Sequence, residues 1–335
     1  MTETTAPNVR LAAPAADAVD VESDATQGLA ESISPARMAV KRYLHHKGAV
    51  ASLVVLVVMA LFVILAPLTA RYGVNEAVFK TSVERPNTFL SPRSVAWFGT
   101  DDIGRDLYSR LIYGLRVSLM IGLAAAIMGT VLGVTIGSIA GMRGGLIDDI
   151  LMRVTDIFLA FPFLVTLLVA RSFLSSVPWL EPVIGNITSI RFVIALFVVF
   201  GWMGVARIMR GQVLALKERE FVEASRALGA TNTRIVVKHI LPNAIGPILV
   251  ALTFAVASAI VAEATLGFFG YGPQPGAGQT SLGNLVGQAK GALLPGYWWM
   301  VVFPCALLVI VTLCVNFIGD GLRDATDPKL DTGGN

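Results

Sequence analysis

Side chains able to carry acid–base, nucleophilic or metal chemistry are few in this chain. His45, His46 and His239 are its histidines and Cys305 and Cys314 its cysteines, and Gly-Lys never occurs, so no G-x-x-x-x-G-K-[ST] phosphate loop exists. No Ser/His/Asp set, ligand-spaced cluster or facing pair of carboxylates emerges either. Cys305 and Cys314 share one apolar run and suit packing better than metal binding or a disulfide. The expectation is a chain that is no enzyme in its own right and holds neither cofactor nor metal.

Two ionisable sets stand out by their surroundings. Glu263 sits in the apolar stretch AIVAEATLGFFGYG, where an isolated charge is costly and normally faces protein or water. Substrate contact or gating is one reading, and a packing partner near the outer interface is the other. Asp149, Arg153 and Asp156 follow i, i+4 and i+3 spacing, so Arg153 can pair with either carboxylate. A structural ion pair is the simpler reading, and a gate that exchanges partners the sharper one. Arg153, Asp156 and Glu263 are thus the candidate gating or pathway residues.

The elements that position these residues belong to a bilayer. Apolar residues make up 55% of the chain, charged residues 15%, and mean hydropathy is +0.70, well above the composition of soluble domains. About 20 apolar residues cross ~30 Å of hydrocarbon as a helix. Six such spans are expected: Gly48 to Ala70, Val117 to Met142, Leu151 to Ala170, Phe192 to Met209, Ala244 to Phe269, and Trp298 to Ile318. The fold class is therefore an all-α, polytopic membrane protein with six transmembrane helices. In the second span Gly129, Gly133, Gly137 and Gly141 recur every fourth residue, which clears one helix face for close approach of another backbone. GRDLYSRLIYGLR, from Gly104 to Arg116, has leucines at i+4 intervals and reads as an interfacial helix on the outer face.

Residues 1–36 lack aromatic residues and any periodic apolar face, so a disordered cytoplasmic tail is expected there. Residues 37–97 then form the first span with its extracytoplasmic segment, and 98–330 the core with five further spans. The basic cluster Arg37, Lys41, Arg42 and Lys47 favours a cytoplasmic N-terminus, and six spans return the C-terminus to the same side. Basic residues in the loop between spans four and five agree. The segment from Arg71 to Arg116 also carries seven Lys/Arg, however, so charge supports this topology only partly.

That cytoplasmic loop, residues 217–242, is the most informative stretch. Phe221, Ala224, Ser225 and Leu228 form one stripe of a short amphipathic helix. Gly229 stands where such a helix would end in a left-handed conformation. Thr231 or Asn232 can cap a second short helix bearing Ile235, Val236 and Ile240, and Pro242 opens the next span. Small residues make the first helix thin, which suits a groove on another protein; docking on the membrane surface and an ordinary solvated loop stay open.

EASRALGATNTRIVVKHILPN resembles the cytoplasmic "EAA" loop of permease subunits of prokaryotic ATP-binding cassette importers, on Glu223, Ala224, Gly229, Leu241 and Pro242. Ser225 replaces the pattern's second alanine, and His239 stands where an isoleucine is general. FGTDDIGRDLYSRLIYGLRVSL (Phe98 to Leu119), DDILMRVTDIFLAFP (Asp148 to Pro162) and NFIGDGLRDATDPKL (Asn316 to Leu330) are similar to stretches of the dipeptide/oligopeptide/nickel branch, C-type subunit. The resemblance implies a type I importer permease fold in the plasma (inner) membrane of a prokaryote. It also implies that Glu223, Ala224, Ser225, Leu228, Gly229, Ala230, His239, Leu241 and Pro242 form an ATPase-coupling loop. The partners it implies are a homologous second permease, two ATPase subunits or domains that carry ATP and Mg, an extracytoplasmic substrate-binding protein and the lipid bilayer, with no nucleic acid. Peptides are the implied cargo; nickel chelates, glutathione or another small solute are the alternatives within the same machine. An ion-coupled secondary carrier is the alternative of a different class.

Overall fold

The computed structural model describes residues 35–78, 89–174, 189–273 and 280–326, together with Val177 and Pro182. The expected disordered tail lies outside the described residues, as does the end of the C-terminal motif beyond residue 326.

Helix α1 (Pro35–His45) meets α2 (Lys47–Ile64) at His46, whose imidazole accepts a hydrogen bond from the Ala49 amide (3.0 Å) and caps the first span. A single turn, α3 (Ala66–Thr69), ends that span. The chain is then tied to the start of α4 (Leu107–Arg143): the Arg71 and Tyr72 amides both donate to the Ser109 hydroxyl, and Asp106 caps α4 by accepting from the Ser109 amide.

At 37 residues α4 is about 55 Å long, so it extends beyond a ~30 Å hydrocarbon core. This corrects the expected interfacial helix from 104 to 116. Leu107, Leu111 and Leu115 are 0%, 3% and 4% exposed and pack with Leu282, Leu285, Trp299 and Met300, so that leucine stripe seals against protein rather than lying on lipid.

The third and fourth spans are bent, contrary to expectation. Helices α5 (Gly145–Ala160) and α6 (Phe163–Leu174) meet at 95°. Pro162 has no amide hydrogen to continue the ladder and drives Phe161 into extended backbone (φ −88°, ψ 140°), which turns the chain. Helices α7 (Ile190–Gly201) and α8 (Met203–Leu216) meet at 41° around Trp202, with Gly201 just before it and Gly204 two residues after. The fourth span also runs past its expected end at 209 to Leu216.

After α9 (Glu220–Ala227), α10 (Asn232–Ile235) passes through a π-turn at Val236–Ile240 directly into α11 (Leu241–Phe268). Pro242 therefore does not open a separate helix. The wider turn, in which the Leu241 amide reaches the Val236 carbonyl, absorbs the missing proline donor, and 232–268 is one long helix. Two short helices, α12 (Leu282–Gln288) and α13 (Lys290–Leu293), dip back before α14 (Trp299–Thr326) closes the chain. Among the described residues four helices are long and apolar enough to cross a membrane, and six spans result when each bent pair counts as one.

Around α4 the other helices assemble. Its glycine face meets α8: a Cβ on Gly137 would stand 2.3 Å from the Ala206 carbonyl oxygen, and one on Gly133 would stand 2.6 Å from that of Trp202. A Cβ on Gly141 would meet Val213 at 2.7 Å, while one on Gly129 would reach Gly201 only at 3.8 Å. The glycine ladder is thus tightest at its centre.

Candidate coupling site and pathway residues

The candidate coupling hairpin is built on an apolar floor. Met209 and Val213 of α8, Ile235, Ile240 and Ile248 are buried together with one residue of α9, Val222. The expected stripe faces the other way: Phe221, Glu223, Ala224 and Leu228 are exposed, with Leu228 88% accessible, and Ser225 is half-buried. Val222 is thus the anchor, and the stripe of Phe221, Ala224 and Leu228 is left uncovered by the chain itself. A single valine between Phe221 and Glu223 offers no periodicity, so the anchor escapes sequence reading.

Helix α9 ends in a hydrogen-bonded reversal. The Gly229 amide donates to the Arg226 carbonyl (2.9 Å) and the Ala230 amide to that of Ser225 (3.0 Å), the paired pattern of a Schellman motif. Gly229 takes φ +81°, a region costly for any residue with a Cβ, although nothing stands within 4 Å of where that Cβ would be. Thr231 rather than Asn232 caps the next turn, its hydroxyl accepting from the Arg234 amide at 3.4 Å.

The two residues that depart from the importer pattern touch one another. Ser225 Oγ lies 3.2 Å from His239 Nε2 and also donates to the Phe221 carbonyl (2.9 Å). Asn243 donates to the His239 carbonyl (2.6 Å), so His239 links α9 to the head of the long helix. Leu241 is half-buried and Pro242 exposed at the head of that helix.

Arg153 takes no part in the expected ion pair. It is exposed, and Asp156 instead meets Arg207 of α8 at 2.5 Å. Asp148 receives both Nε and Nη2 of Arg210 at 2.5 and 2.6 Å. Spacing along one helix shows only partners on that helix, whereas α8 supplies both arginines. Two ion pairs therefore join the half-span α5 to α8, which runs on toward the hairpin.

Glu263 is fully buried at a junction of three elements. Ser118 of α4 donates to its carboxylate (2.7 Å), the same hydroxyl accepts from the Leu282 amide (3.1 Å), and Gly283 packs on the Glu263 backbone. In this conformation the carboxylate ties α11, α4 and α12 together and lines no open path.

A second buried network was missed in the sequence. Asp101 accepts from the Ile103 and Arg105 amides, from Arg105 Nε (2.7 Å) and from Arg110 Nη1; the last also donates to Gln288 Oε1 (2.9 Å). Asp101 and Arg110 are both 0% exposed. The i, i+4 spacing of Asp101 and Arg105 was legible, but the turn that brings Arg110 back was not. Among the described residues no three His, Cys, Asp or Glu side chains converge as a metal site would need.

With this geometry in place, comparison with known proteins is decisive at the level of family. The family model described as "Binding-protein-dependent transport system inner membrane component" matches residues 133–332. This chain belongs to that family. A second model, the N-terminal TM domain of oligopeptide transport permease C, matches residues 34–92. The permease is 40% identical over 294 residues to "Oligopeptide transport system permease protein OppC" of Escherichia coli (strain K12), covering 87% of this chain and 90% of that one. It is 39% identical over 308 residues to the Bacillus subtilis (strain 168) OppC protein, covering 92% and 94%. It is 37% identical over 299 residues to "Dipeptide transport system permease protein DppC" of the same organism, covering 89% and 87%. Among solved structures, a chain of the inward-facing MetNI methionine ABC transporter shares the fold with a TM-score of 0.51 at 24% identity, covering 65% of this chain and 96% of that chain. The permease is thus a multi-pass inner-membrane transport subunit with an ABC importer fold, as its motifs led us to expect.

Proposed function

We propose that this permease is one half of a heterodimeric transmembrane path that imports di- or oligopeptides, coupled to ATPase subunits through the hairpin at 217–242. The single observation that carries the coupling is the exposed, small-residue face of α9, held outward by the buried Val222 and by the left-handed turn at Gly229. The cargo class is supported by the relatives, whose names speak of oligopeptide and dipeptide transport.

In this reading a second, homologous permease completes the path, two ATPase subunits or domains bind and hydrolyse ATP with Mg, and an extracytoplasmic binding protein delivers the peptide. Both termini and the hairpin face the cytoplasm. Glu223, Ala224, Ser225, Leu228, Gly229 and Ala230 meet the ATPase, while His239, Leu241 and Pro242 join that contact to α11. When the ATPases close, the hairpin moves with them, and the helix 232–268, continuous through the π-turn at Val236–Ile240 and past Pro247, carries the motion toward the outer face. The bent pairs α5/α6 and α7/α8 are natural places for such a motion to be absorbed, because their broken ladders already lack the stiffness of one helix.

Copurification of the permease from its native membrane, followed by mass spectrometry and an ATPase assay with peptide-loaded binding protein, tests the proposal. A second permease and ATPase chains, with activity raised by the loaded binding protein, are the expected result. A chain recovered alone, with no ATPase, would overturn it and bring the ion-coupled carrier forward.

A further inference from the structure

A groove of about 370 Å³ lies between Phe163 and Leu164 of α6, residues 254–265 of α11, and Thr312 and Asn316 of α14, a size within the ~300–1,000 Å³ range of small-ligand sites. Its lining contains no Asp, Glu, Lys, Arg or His. Two of its hydroxyls turn back on their own helices: Thr265 donates to the Val261 carbonyl and Thr312 to that of Leu308, each at 2.8 Å. The Ser258 hydroxyl and the Asn316 carboxamide, by contrast, have no protein hydrogen-bond partner among the described residues.

Asn316 opens the motif NFIGDGLRDATDPKL, and packing accounts for several of its neighbours. A Cβ on Gly319 would meet Thr253 at 2.6 Å, one on Gly321 would meet Ala49 at 2.3 Å, and Asp324 lies 3.6 Å from His46. Asn316 is half-buried and its carboxamide makes no hydrogen bond among the described residues that would account for it. The groove also adjoins the 95° break at Phe161–Pro162. Backbone that leaves the helix at membrane depth needs protein or water beside it, because hydrocarbon cannot satisfy its polar groups. With the bent pair α5/α6 counted as one span, the break falls inside that span, so the groove beside it faces an aqueous or protein-lined space rather than lipid.

We propose that this groove is a station on the cargo path that holds peptides by their main-chain amides, with Asn316 and Ser258 as the contacting groups. The inference rests on the peptide reading above and deepens it. A carboxamide both donates and accepts, as a peptide bond does, so Asn316 can pair with either edge of any peptide backbone. An uncharged wall neither attracts nor repels acidic or basic side chains, so the station passes cargo irrespective of charge and leaves selection to delivery.

The test uses the complete transporter in proteoliposomes, with saturating binding protein loaded with two tripeptides of equal length, Ala-Glu-Ala and Ala-Lys-Ala. The readout is the ratio of their uptake rates within one preparation, which altered expression or partial assembly does not change. For the unaltered complex the two rates agree within about twofold. Asn316→Asp is expected to lower the acidic-to-basic ratio about tenfold, because a fixed carboxylate repels the glutamate and attracts the lysine. Ser258→Asp places the same charge from α11 and is expected to act in the same direction, which keeps the proposal testable if Asn316→Asp yields no complex. Asn316→Gln, which keeps the amide, retains the unaltered ratio. An unchanged ratio in the aspartate variants, with peptide uptake present, overturns the station alone. Absence of peptide uptake by the unaltered complex overturns the peptide reading and the station together.

Discussion

The N-terminal end of α4 and the hairpin at 217–242 solve opposite problems with charge and surface. At the N-terminal end of α4, Asp101, Arg105 and Arg110 are drawn inside and bonded to one another, to backbone amides and to Gln288, although Nε and Nη2 of Arg110 have no hydrogen-bond partner among the described residues. At the hairpin, Glu223, Arg226 and Arg234 stay in solvent, a leucine is left 88% exposed, and α9 buries one side chain, Val222. A desolvated ion network is costly to break, so the N-terminal end of α4 acts as a fixed anchor. A helix held by one buried side chain and a backbone reversal contributes little to the fold, which fits the proposed contact with an ATPase.

If that contrast is right, substitutions should divide into those that unfold the permease and those that only uncouple it. The largest effect is expected from Gly137→Leu: with the Ala206 carbonyl 2.3 Å from the position of a Cβ, α4 and α8 must separate, and folded yield in detergent should collapse. Asp101→Ala is next. It strands the fully buried Arg110 and should cost about 3–5 kcal/mol, seen as a large fall in thermal midpoint of the purified complex. Gly229→Val follows: the left-handed turn costs a β-branched residue about 1–2 kcal/mol, but the space around it is open, so the permease should fold while ATPase-coupled uptake falls sharply. Leu228→Asp is the sharpest of the set, because a side chain this exposed should change stability by less than about 0.5 kcal/mol and yet weaken recovery of the ATPase. Smallest is the Ser225→Ala, His239→Ile pair. A double-mutant cycle on thermal stability should return a coupling of about 0.5–1.5 kcal/mol for their 3.2 Å contact.

What was legible beforehand follows from how local each signal is. Span existence is a property of composition over about 20 residues, and it is visible. The reversal at Gly229 is equally local, since one residue type tolerates the required φ. The regular glycines of α4 announced a bare helix face, though not that α8 would cover it. The bend at Phe161–Pro162 was concealed by apolar residues that run unbroken across it, although the proline itself was there to be weighed. Pairings between elements were beyond reach: Arg153 offered the right spacing to Asp149 and Asp156, yet Asp156 bonds to an arginine 51 residues away. For the same reason Glu263 looked like an isolated charge until Ser118, 145 residues distant, was seen to hold it.

The claim that the hairpin is the docking surface for an ATPase is tested most directly by contact. A photo-crosslinking side chain placed at position 228 in the native membrane, where Leu228 projects from α9, should form a covalent product whose second component is an ATPase subunit. Crosslinks confined to lipid, or to a second permease, would contradict the account.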